Sequence, residues 1–101
     1  MTWNIRSLLS AHNQHALALS LNSLLPEVCV ITETWMKSTL PIIHQDYSQL
    51  QFPLNSHQGV AIFANRRYEL TPILKTQWEN HFVIAKINKR KEDIAIVTIY
   101  V

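Results

Sequence analysis

The side chains able to do chemistry in this 101-residue sequence are constrained first by their spacing. His12 and His15 stand three apart in a segment of helical periodicity, His44 and His57 fall in an aperiodic stretch, and His81 precedes a β-rich run. No His-x-x-x-His or Cys-x-x-Cys spacing occurs, so a tetrahedral zinc site has no support. Serine, histidine and aspartate are all present, yet no Gly-x-Ser-x-Gly elbow would aim a nucleophile. The single glycine, Gly59, excludes a glycine-rich phosphate loop. Cys29 lies inside the apolar run Val28-Cys29-Val30-Ile31, has no second cysteine to pair with, and reads as a small core hydrophobe. Positive charge gathers only at Arg66 with Arg67 and at Lys89, Arg90 and Lys91. Both clusters fall at turns between strands, where solvation accounts for them; Arg66 and Arg67 are the pair retained as candidates for a nucleic-acid phosphate. Asn4 and Glu33 each stand at the end of a short β-rich run.

The elements that would position those residues open in strand, helix, strand order. Met1 to Arg6 is aromatic and β-branched and turns polar at Asn4, Arg6 and Ser7, which predicts a first strand. From Ser10 the apolar positions Leu17, Leu21, Leu24 and Leu25 recur at helical spacing; Ser10 is the N-cap candidate and Pro26 forces the end. Val28 to Thr32 is continuously apolar, the pattern of a strand covered on both faces. Residues 34–57 keep no period and contain Pro41 and Pro53, leaving irregular structure with a short strand near Tyr47 to Gln51. Gly59 to Ala64, Tyr68 to Leu74, Phe82 to Ile87 and Asp93 to Val101 follow as β-rich runs, which we expect to be successive antiparallel strands. The last is apolar on both faces, predicting a central place, and it stops in mid-pattern at Val101; the expectation is one incomplete domain over residues 1–101.

Composition sets the outer limits. Hydrophobic residues make up 48% and charged residues 16%, too apolar for a disordered chain. A net charge of +2 is too small to argue for nucleic acid by itself. No run approaches the ~18 apolar residues of a membrane span, the first residues lack the order of a secretory signal, and one buried cysteine suits an intracellular, reducing compartment, nuclear or cytoplasmic.

Three local patterns recur in a fixed order: Thr2-Trp3-Asn4-Ile5-Arg6-Ser7-Leu8, then Pro26-Glu27-Val28-Cys29-Val30-Ile31-Thr32-Glu33-Thr34-Trp35, then Gly59-Val60-Ala61-Ile62-Phe63. A fourth is the run from Ile94 that ends in Ile99-Tyr100-Val101. In that order, with a helix between the first two, they resemble the amino-terminal half of the endonuclease/exonuclease/phosphatase superfamily, above all its branch in non-LTR retroelement endonucleases. The resemblance implies an α/β (α+β) fold, part of a sandwich of mostly antiparallel sheet with one amphipathic helix between the first two strands.

It also implies roles. Glu33 matches the glutamate that ligates Mg²⁺, with Mn²⁺ an alternative, and hard oxygen donors suit such an ion. Asn4 matches the asparagine beside the metal, and Tyr100 the tyrosine that meets a phosphate oxygen as charge develops. Gln58 stands where the family usually has a second glycine. No Gly-Asp-Phe-Asn-like or Ser-Asp-His-like segment occurs, so the residues that activate water and stabilise the leaving group are not among these 101. The implied function is the amino-terminal part of a Mg²⁺-dependent phosphodiesterase acting on DNA, inactive alone, its carboxyl-terminal half supplied in cis or in trans. A degenerate, non-catalytic module binding nucleic acid or protein is the first alternative; a lipid or inositol phosphatase of the same fold is the second.

Overall fold

A parallel pair of neighbouring strands cannot be joined by a tight turn and needs a crossover, and the first third of the chain supplies one. In the computed structural model, which describes residues 1–36, 39–52, 59–73, 82–89 and 92–99, strand β1 (Thr2–Asn4) leads into helix α1 (Ala11–Leu24) and back to β2 (Val28–Thr32). β1 and β2 pair in parallel, with Thr2 opposite Val30 and Asn4 opposite Thr32. β3 (Tyr47–Phe52) and β4 (Val60–Asn65) complete a four-stranded sheet in the order β1-β2-β4-β3, β4 running antiparallel to both neighbours. β5 (Glu69–Ile73), β6 (Phe82–Lys89) and β7 (Glu92–Ile99) form a second, antiparallel sheet in chain order. The expected α+β sandwich is thus present, with one parallel pair in an otherwise antiparallel pattern.

The helix begins where the sequence predicts. Ser10 is extended (φ −85°, ψ 141°) and its side chain accepts from the Asn13 amide at 3.1 Å, satisfying one of the orphan donors of the first turn. It ends at Leu25, which adopts a left-handed φ of 48° and donates its amide to the Leu21 carbonyl. Leu17 and Leu21 are fully buried against the first sheet, but Leu24 and Leu25 are 67% and 70% exposed, contrary to the four-leucine face expected. The helix stops at Leu24 and the chain turns toward β2 through Pro26, so these two leucines fall beyond the buried stripe.

Alternation along the central strands divides the core in two. Cys29 and Ile31 of β2, with Ala61 and Phe63 of β4, pack with Leu17 and Leu21 on the helix side. Val30, Val60 and Ile62 face the other way, against Leu50 and Leu70. Ala64, Tyr68 and Ile87 extend that second layer to β6. A strand with helix on one face and sheet on the other must be apolar on both, which is why Val28 to Thr32 shows no polar alternation.

Three further expectations are corrected. The first strand stops at Asn4 instead of reaching Arg6, because Arg6 and Ser7 take positive φ values of 51° and 108° that leave the extended region. β4 and β5 are not hydrogen-bonded neighbours: the turn at Asn65-Arg66-Arg67-Tyr68, closed by the Tyr68 amide on the Asn65 carbonyl at 2.9 Å, carries the chain from one sheet to the other. Among the described residues β7 stands at a sheet edge, not in the centre its two-faced pattern predicts, since β6 alone borders it. Pro72 sits in β5, the opposite edge, where a missing amide is tolerated.

Candidate functional site

Because β1 and β2 are parallel, their carboxyl ends emerge side by side, and antiparallel β4 brings its amino end to the same place. Ligands of sheets with parallel strands gather at such ends. Asn4, opposite Thr32, is exposed; Glu33, the next residue along β2, is half-buried. The structure therefore brings together the two residues singled out at strand ends.

Pairing continues past the strands. The Ile5 amide donates to the Thr32 carbonyl at 3.1 Å, the Ser7 amide to Glu33 at 2.8 Å and the Leu8 amide to Thr34 at 2.7 Å. On the far side the Thr34 amide donates to the Gly59 carbonyl at 3.2 Å. Three loops are thereby laced into one rim. Asn13 donates its side-chain amide to the Ser7 carbonyl and Gln14 to the Leu8 carbonyl, each at 2.8 Å, so the first turn of α1 holds the same rim from behind.

Backbone strain concentrates here. Among the described residues, five of the six with positive φ, Arg6, Ser7, Glu33, Trp35 and Gly59, belong to these loops, and the sixth is Leu25. A left-handed non-glycine residue costs about 1–3 kcal/mol and persists only where its surroundings over-determine it. Glu33 at φ 56° is such a residue. Thr34 beside it is completely buried, its hydroxyl accepting from the Met36 amide at 3.4 Å. Gly59, at φ 112°, is required twice: its backbone favours glycine, and a Cβ there would collide with the Thr34 Oγ1. Sequence reasoning missed Ser7, Thr34 and Gly59 as the lock of this rim; the signal was Thr34, a polar residue between Glu33 and Trp35.

The donor chemistry fits a hard divalent cation. Glu33 offers a carboxylate and Asn4 an amide oxygen, and Mg²⁺ commonly takes only one or two protein carboxylates, completing its shell with water and substrate phosphate. Among the described residues no cluster of three histidine, cysteine or acidic side chains is placed to hold a metal. Tyr100 and the Arg90-Lys91 pair lie outside the described residues, as do His57, Gln58 and His81.

Arg66 and Arg67 are not part of this rim. Val28 pairs with Ala64 and Thr32 with Val60, so the Arg66-Arg67 turn stands at the other end of the sheet, four residue steps or about 13 Å along β2. There Arg67 Nη2 lies 3.7 Å from Glu27 Oε1 and its guanidinium 5.1 Å from the Tyr68 ring centroid, while the Tyr68 hydroxyl donates to Glu27 at 2.9 Å. The Arg66 amide bonds the Asp46 carbonyl. These contacts tie the crossing between sheets.

The fold, a helix-backed mixed sheet stacked on an antiparallel sheet, is shared with solved structures of nucleases and a phosphatase. Solved structures similar to this chain are the endonuclease domain of TRAS1, a telomere-specific non-LTR retrotransposon (18% identity, TM-score 0.67), and an AP endonuclease from Archaeoglobus fulgidus (19%, TM-score 0.69). A third is the 3′ phosphatase NExo from Neisseria bound to a product DNA hairpin (15%, TM-score 0.69). The matches take in 99%, 98% and 98% of this chain but 44%, 39% and 39% of those structures, so the chain spans about two-fifths of their length. No family model and no curated protein matches the sequence.

Proposed function

We propose that this chain is the amino-terminal part of a Mg²⁺-dependent phosphodiesterase acting on DNA, with Glu33 as the metal-holding carboxylate and Asn4 supporting it. The observation that carries this reading is the meeting of Asn4 and Glu33 at the joined carboxyl ends of β1 and β2. The likeness to structures whose names describe a retrotransposon endonuclease, an AP endonuclease and a DNA-bound phosphatase supports DNA as the substrate. When bound at such a site, Mg²⁺ supplies a Lewis acid for a phosphoryl oxygen.

Each residue has a defined share. The Glu33 backbone is held in its left-handed conformation by the Ser7 amide on its carbonyl, and its carboxylate is the hard anionic ligand in this reading. Asn4, exposed beside it, offers an amide that accepts toward a cation or donates toward a phosphate oxygen. Tyr100 is the phosphate contact in this reading. Groups that activate water and protonate the leaving oxygen would come from the portion of the fold that the similar structures contain and these residues do not match.

The test is nicking of supercoiled DNA with Mg²⁺ and with chelator, by the 101-residue chain and by a form extended through any coding sequence beyond Val101. Mg²⁺-dependent nicking by the longer form alone is the expected result. DNA binding of steep salt dependence with no Mg²⁺-dependent nicking by either form would replace this reading with a non-catalytic binding module.

A further inference from the structure

Two consecutive residues of α1 hold two consecutive residues of the loop before it, and these in turn hold two consecutive residues after β2. The Asn13 side-chain amide donates to the Ser7 carbonyl, and the Ser7 amide donates to the Glu33 carbonyl. One residue further on, the Gln14 side-chain amide donates to the Leu8 carbonyl, and the Leu8 amide donates to the Thr34 carbonyl. Two parallel rungs thus run from the helix to the backbone of Glu33 and its neighbour. The helix does not need them for its own end, because the Ser10 side chain caps the first turn and buried Leu17 and Leu21 fix it to the sheet. A capping box would place glutamate or glutamine at Asn13, three residues after the cap, with the side chain turned back to the cap amide. The helix dipole likewise favours an acid in this turn, and none is present. An ionised acid offers only acceptors, whereas the Ser7 and Leu8 carbonyls require donors, which the two side-chain amides supply.

We infer that Asn13 and Gln14 are positioning residues for the metal ligand: through Ser7 and Leu8 they fix the backbone from which Glu33 reaches a divalent cation. The inference rests on the function proposed above. Neither side chain touches metal or DNA in this role; the effect passes through the loop. What the rungs brace is unfavourable backbone, since Ser7 at φ 108° and Glu33 at φ 56° stay in the left-handed region only where their neighbours over-determine them. Outer groups that orient a ligand contribute to metal affinity without contacting the ion, because a ligand ordered beforehand loses less freedom on binding. Both amides are half-buried and stand behind the rim, so the helix transmits its position to the site through two bonds of 2.8 Å.

The experiment is a Mn²⁺ titration of the full protein, followed by paramagnetic broadening of the Asn4 and Glu33 amide signals in NMR, beside nicking of supercoiled DNA over a range of Mg²⁺. Asn13→Asp with Gln14→Glu keeps the side-chain shapes and replaces donors by acceptors; Asn13→Leu with Gln14→Met removes the hydrogen bonds and adds no charge. Titrations are run at a temperature where thermal melts show each variant folded, so a loss of stability alone does not enter the result. Both pairs are expected to bind Mn²⁺ several-fold more weakly and to need several-fold more Mg²⁺ for half-maximal nicking, with KM for DNA unchanged. Added negative charge by itself would strengthen cation binding, so weaker binding in the Asp and Glu pair carries the sign of lost positioning. Parent-like Mn²⁺ affinity in both pairs would overturn the positioning role; if the unaltered protein still nicks with Mg²⁺, the proposed function stands without it. Absence of broadening at Asn4 and Glu33, together with absence of nicking by the unaltered protein, would overturn both.

Discussion

Glu33 holds a conformation that its residue type disfavours, which separates what it does for the fold from what it does for a substrate. Glu33→Gly should relieve the left-handed backbone and raise stability by about 0.5–1 kcal/mol in a denaturation experiment, while abolishing Mg²⁺-dependent cleavage in the extended form. Retained cleavage would remove Glu33 from the metal site. Gly59→Ala has the opposite sign: backbone at φ 112° and the collision with Thr34 predict a loss of about 2–3 kcal/mol, measured as a shifted denaturant midpoint. At Cys29, burial pushes the thiol from 9.0 up to about 11, the amino-terminal ammonium pulling the other way. The core favours the neutral thiol, so the unfolded chain ionises first as pH rises. This contribution is whole below pH 9.0 and is lost progressively up to about 11, a difference on the order of 2 kcal/mol. Denaturation across that window should show the loss in the parent and a shallower one in Cys29→Ala; Tyr47, whose hydroxyl burial also raises, keeps the second curve from being flat. Asn4 and Glu33 were legible through the ordered motifs that contain them, each at the end of a β-rich run. Ser7 and Gly59 were not, since their contribution is a dihedral angle and a backbone carbonyl, neither of which leaves a periodic trace.

Among the elements, α1 gives the sharpest comparison. Leu17, Leu21, Leu24 and Leu25 look equivalent on spacing, but only the first two are buried. Leu17→Ala and Leu21→Ala should each cost about 2–5 kcal/mol, whereas Leu24→Ala should stay within about 0.5 kcal/mol; comparable losses at all three positions in urea denaturation would contradict the assigned buried face. The N-cap at Ser10 and the bounds of β2 could be read from sequence because each depends on neighbours in the chain: a hydroxyl three residues before the amide it caps, and an apolar run between Pro26 and Glu33. The crossing after β4 could not. An Asn-Arg-Arg turn between two β-rich runs resembles a hairpin, and what diverts it is the burial of Tyr68 between the sheets, with its hydroxyl on Glu27, a residue forty-one positions earlier. Local turn chemistry does not encode which sheet a strand joins.

At the scale of the whole molecule, the same chain order that made the parallel pair also decides where the site lies. β1 and β2 can lie parallel only because α1 crosses between them, and once they do, their ends, the amino end of β4 and the first turn of α1 arrive at one edge. The sandwich class was legible from strand, helix, strand followed by β-rich runs; the stacking of two sheets was not, because it rests on packing remote in sequence, such as Leu70 against the cluster of Val30, Val60 and Ile62. The lacing of the rim has a consequence in solvent exchange. The amides of Ser7, Leu8 and Thr34 lie outside every helix and strand, where deuterium normally enters within moments, yet each is bonded to a backbone carbonyl on another segment. Releasing Ser7 or Leu8 parts the segments that follow β1 and β2, and releasing Thr34 parts the segment after β2 from the one before β4, so these three loop protons should exchange far more slowly than those of unbonded loops.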